Sequence, residues 1–92
     1  MSLKTQHVVL KQIGSMGDVY DQLAAQLALP GHFGRNLDAL YDVLTSELTG
    51  PTRITWHHAE ASRAALGEQF ETLLTVFNEA AAECDELEIV ID

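Results

Sequence analysis

Cys84 is the single cysteine among 92 residues, so no internal disulfide framework can hold this chain. Basic side chains are almost as scarce. Five lysines and arginines stand against 14 aspartates and glutamates, a formal net charge of −9 with histidine neutral. Affinity for nucleic acid comes mainly from Lys and Arg on phosphates, so this balance argues against direct nucleic-acid binding. A cationic protein partner suits it better, although acidic composition also serves plain solubility. No apolar run approaches the length of a membrane span, and Met1-Ser2-Leu3-Lys4-Thr5-Gln6-His7 lacks the apolar stretch of a signal peptide. The expectation is a cytoplasmic protein without membrane contact. A Gly-rich phosphate loop, a nucleophile elbow and a Cys-x-x-Cys pair are all missing, so no cofactor is expected.

What is present reads as one domain over residues 1–92, long enough to bury roughly 60 to 65% of its unfolded surface. Val8-Val9-Leu10 reads as a short strand closed by Gly14. Ser15 and Asp18 form a weak capping box ahead of a helix over Met16 to Leu27, ended by Pro30. After a second helix, Thr49-Gly50-Pro51 breaks the chain, and Ile54 and Trp56 alternate with Arg53 and Thr55 as in a strand. Ala59 to Leu66 is a short alanine-rich helix interrupted by Gly67. Phe70, Leu73, Leu74, Phe77 and Ala81 then make the clearest amphipathic stripe, and Leu87, Ile89 and Ile91 alternate in a last strand. The order β-α-α-β-α-α-β with helical crossovers predicts an α/β fold: a small three-stranded parallel sheet with its helices mostly on one side. Trp56 reads as core and Cys84 as a small buried residue near a helix end.

The most informative stretch is the loop and second helix from Leu29 to Thr45. Pro30, Gly31 and Gly34 shape the loop, Asn36 is a natural N-cap, and Asp38 falls in the first turn, where the helix dipole favours an acid. Leu37, Leu40, Leu44 and Leu48 share one helical face; Asp38, Tyr41, Asp42 and Thr45 share another. Carboxylates one turn apart repel by a few tenths of a kcal/mol, so folding alone does not recommend them. As a solvated face they need no further explanation, and as a catalytic pair they lack an apolar pocket that would split their pKa values. His57 and His58 adjoin Glu60, but adjacent side chains point apart, so a shared metal ion is not expected.

The run Leu-Pro-x-x-Phe-Gly-x-Asn-Leu-Asp-Ala-Leu-Tyr-Asp-x-Leu-Thr resembles the signature of the barstar family, small intracellular inhibitors of barnase-type ribonucleases. Thr55-Trp56, Val76-Phe77-Asn78-Glu79-Ala80 and the final apolar strand follow in the same order, so the resemblance spans nearly the whole chain. It implies the same three-stranded parallel α/β fold. It also implies that the loop and second helix enter a ribonuclease active site, where carboxylates take the place of substrate phosphates. On that basis Asp42 matches the dominant acidic anchor of the family, Asp38 its neighbour one turn earlier, and Glu79 a further acidic contact. Tyr41 stands where the family has tryptophan, while His32 and Phe33 stand where it has tyrosines. Gly34 and Asn36 match the turn and cap. Arg35 occupies an acidic position of the family and could pair with Asp38.

The expected function is therefore a non-enzymatic ribonuclease inhibitor, monomeric when free, binding a cationic ribonuclease one to one through His32, Phe33, Gly34, Arg35, Asn36, Asp38, Tyr41, Asp42, Thr45 and Glu79. His32 and Arg35 keep open an alternative: an acidic interaction module of the same fold that binds a partner other than a ribonuclease. A small hydrolase using Asp38 and Asp42 is the remaining rival.

Overall fold

A computed structural model describes residues 4–27, 29, 34, 36–48 and 50–92. The elements run β1 (Gln6–Leu10), α1 (Met16–Leu27), α2 (Leu37–Asp42), a π-helical turn (Val43–Glu47), β2 (Thr52–Trp56), α3 (Ala59–Leu66), α4 (Glu68–Glu83) and β3 (Leu87–Ile91). The three strands are parallel in the order β1-β2-β3, with Val8 beside Ile54 and Ile54 beside Ile89. This is the α/β order expected from the sequence pattern.

Strand alternation decides which face carries the core. Val8 and Leu10, then Thr52, Ile54 and Trp56, then Leu87 are buried beneath the helices. Their neighbours His7, Arg53 and Glu88 are exposed, and Val9, Thr55 and Val90 are half-buried, so only one face of the sheet is covered. Trp56 anchors the covered face. Its ring lies 5.1 Å from Phe70 and 6.1 Å from Phe77, and its indole N–H donates to the buried Ser62 hydroxyl at 2.9 Å. That bond leaves no orphaned donor at the centre of the core.

Helix boundaries follow local chemistry. At the start of α1, Ser15 Oγ accepts from Asp18 N at 3.3 Å while the Asp18 carboxylate accepts from Gly14 N at 2.9 Å. The expected box thus forms with its return bond one residue early. Between α3 and α4, Gly67 at φ +60° takes the left-handed conformation that lets one helix stop and the next begin, and its N–H donates to Arg63 O at 2.9 Å. Cys84, just past α4, is half-buried rather than buried, because it is the cap and not a core position.

Candidate functional site

Asn36 builds the entrance to α2. Its backbone is extended at φ −143° and ψ 170°, and its side-chain oxygen accepts from Ala39 N at 2.8 Å. Its amide nitrogen donates to Gly34 O at 3.2 Å. A Cβ on Gly34 would lie 3.1 Å from Asn36 Nδ2 and 3.3 Å from Ala39 Cβ, so the turn leaves little room for a side chain there. Gly34 and Asn36 therefore shape the scaffold of the site, whatever else they touch.

Leu40 and Leu44 are fully buried and Val43 nearly so, which locks the inner face of α2 and its continuation onto the core. The helix does not run on as regular α. It widens into the π turn, where Thr45 Oγ1 donates to Tyr41 O at 2.8 Å and Ser46 Oγ to Asp42 O at 2.6 Å. Hydroxyls bonding back one turn commonly accompany such a loosened ladder. Heptad-like spacing of leucines could not reveal it.

The outer face is where the sequence placed its acids. Asp38 and Asp42 are exposed and Tyr41 is half-buried between them. α2 packs against α4, and this brings Glu79 to the same open groove: Asp38, Tyr41, Asp42 and Glu79 form its walls, with Leu37 and Val76 also lining it. Val76 belongs to the run Val76-Phe77-Asn78-Glu79-Ala80 but is not among the expected contact residues; it sits one turn before Glu79 on α4, a spacing that points to it. Thr45 does not line this groove, and its hydroxyl is engaged by Tyr41. His32, Phe33 and Arg35, together with any pairing of Arg35 with Asp38, lie outside the described residues. Leu37 and Asp38 also border a second hollow, on the side of Met16 and Tyr20.

Among the described residues, no ion pair or side-chain hydrogen bond engages the carboxylates of Asp38, Asp42 or Glu79. The ion pairs present lie elsewhere: Arg53 with Glu88 at 2.7 Å, His57 with Asp92 at 2.7 Å and Arg63 with Glu71 at 2.8 Å. Asp38 complements the positive end of α2, whereas Asp42 lies where α2 passes into the π turn, a position that gains nothing from the dipole and sits one turn from a like charge. Local stability gives no reason for that carboxylate. Nor do the described residues hold any group of three or more His, Cys, Asp or Glu arranged to bind a metal ion. None of the helices described is long and apolar enough to cross a membrane.

With fold and groove in view, the comparisons are direct. The family model described as Barstar (barnase inhibitor) matches residues 3–92, and the chain belongs to the Barstar family. It is 37% identical over 75 residues to the Bacillus subtilis (strain 168) protein named "Putative ribonuclease inhibitor YrdF", a match covering 80% of this chain and 82% of that relative.

Proposed function

We propose that this protein inhibits a barnase-type ribonuclease by laying the α2–α4 groove over the enzyme's active site. It acts without turnover and without a cofactor, and binds one to one. One observation carries the proposal: three carboxylates, free of ion pairs among the described residues, converge on a single groove in a Barstar-family chain. A ribonuclease gathers cations around the scissile phosphate. Carboxylates held on a helix whose inner face is buried offer those cations a pre-organised substitute for the RNA backbone. Tyr41 adds an aromatic surface with two torsions to order, and Leu37 and Val76 supply apolar contact that excludes water.

The test is a titration of a purified barnase-type ribonuclease, read by cleavage of a fluorogenic RNA. Activity should fall to zero at equimolar inhibitor, with an association rate that drops as salt is raised. Asp42→Ala should weaken inhibition by about 2–5 kcal/mol, roughly 30-fold to several thousand-fold. Its unfolding free energy should stay within about 0.5 kcal/mol of wild type, because the side chain is exposed. Equal inhibition by Asp42→Ala and wild type would remove Asp42 from the site. An inhibitor that leaves such enzymes fully active at tenfold excess would overturn the proposal itself.

A further inference from the structure

The two edges of the sheet are finished differently. Along β1, α1 occupies the outward backbone groups of Val9 and of Lys11 just past the strand, while no described residue bonds those of His7. The Gln26 side chain accepts from Val9 N at 2.9 Å and donates to Val9 O at 2.8 Å. The Gln22 side chain accepts from Lys11 N at 3.1 Å and donates to Lys11 O at 2.8 Å. Each amide satisfies one donor and one acceptor, as a neighbouring strand would, and so closes the C-terminal part of that edge to other chains.

β3 has no such cover. Thr52 N donates to Glu86 O at 2.8 Å and Asp92 N to Trp56 O at 2.9 Å, so residues 86, 88, 90 and 92 turn their backbone groups toward β2. Residues 87, 89 and 91 turn theirs outward. Leu87 N is taken by Cys84 O at 3.1 Å, whereas no described residue bonds the backbone amides or carbonyls of Ile89 and Ile91. Ile91, 48% exposed, is also the exposed large hydrophobic side chain among the described residues.

The charges around this edge select its occupant. Asp85, Glu86, Glu88 and Asp92 are all exposed. A second copy pairing antiparallel about Ile89 sets Glu86 opposite Asp92, and one pairing about Val90 sets Glu88 opposite Asp92. Directly opposed like charges destabilise a strand pair, and here each molecule already carries −9. Glu88 and Asp92 hold Arg53 and His57, while Asp85 and Glu86 have no ion pair among the described residues. Asp85 and Glu86 are thus the carboxylates left to attract lysine and arginine.

We infer that the outer edge of β3 docks an extended cationic segment of another protein as a fourth strand of the sheet, through the backbone of Ile89 and Ile91. Side chains at alternate positions of the segment then meet the acidic residues on one face, while an apolar side chain on the other covers Ile91. This edge shares no residue with the acidic groove, so the inference stands independently of the proposed ribonuclease inhibition.

A short synthetic peptide alternating lysine and valine is the probe, with amide hydrogen exchange read by NMR. Saturating peptide should slow exchange at Ile89 and Ile91 by roughly tenfold or more. Ile91→Pro deletes one outward N–H without touching a bond to β2 or any charge, and should weaken the peptide about tenfold. Asp42→Ala should bind the peptide as wild type does. Unchanged exchange at both amides overturns the inference, whether or not the proline variant folds. So does equal affinity of a folded Ile91→Pro protein, which would reveal attraction by charge alone, and so does equal binding of a glutamate–valine peptide.

Discussion

Replacing Asn36 with alanine tests the join between fold and site. The substitution removes the acceptor that holds Ala39 N at 2.8 Å and the donor that reaches Gly34 O at 3.2 Å. Loss of a side-chain N-cap costs about 1 kcal/mol, within a range of roughly 0.5–2. The second bond is solvent-exposed and adds at most a few tenths of a kcal/mol. For a protein stable by about 5–15 kcal/mol, the fold survives and the melting temperature falls by about 4–8 °C. The damage concentrates on the groove, because α2 has only six residues before the π turn and Asp38 lies in its first turn. Asn36→Asp restores the acceptor beside the positive helix end, and its unfolding free energy should return to within about 0.5 kcal/mol of wild type. Urea unfolding followed through the single tryptophan, Trp56, measures stability, and ribonuclease titration of the same samples measures the site. An alanine variant as stable as wild type, or an aspartate variant as damaged as alanine, would refute the capping account.

Three further outcomes follow from the packing. Ser62→Ala strands the buried indole N–H of Trp56 and should cost about 1–3 kcal/mol in urea unfolding, with Trp56 fluorescence reporting the altered surroundings. Leu40→Ala opens a cavity at a fully buried position and should cost about 2–5 kcal/mol, far more than Asp42→Ala does, while inhibition per folded molecule changes less than with Asp42→Ala. Replacing Gln22 and Gln26 together by alanine removes the cover of β1. Sedimentation should then show stronger concentration-dependent association than wild type, alongside a stability loss of about 1 kcal/mol per residue.

Much of the chain was legible because the relevant signals are local. The alternation of Leu87, Ile89 and Ile91 and the helical stripe through Phe70, Leu73 and Phe77 marked elements that the structure contains. Asn36 announced a cap that forms as expected. The π turn escaped, because Leu40 and Leu44 keep a spacing that regular helix also satisfies, and only the backbone shows how the ladder loosens around Thr45 and Ser46. Cys84 looked buried because its type usually is, but its position at the end of α4 leaves it half-covered.

Gln22 and Gln26 show the boundary most clearly. In sequence they are polar residues on a helix face, indistinguishable from a solvated surface. Their meaning exists only once β1 becomes an edge strand and α1 lies beside it. The same holds for the acidic groove. Asp38, Tyr41 and Asp42 share a face by helical periodicity alone, a property of neighbouring residues. Glu79 and Val76 join them only because α2 packs on α4, and the burial that drives this packing depends on contacts between segments far apart in the chain.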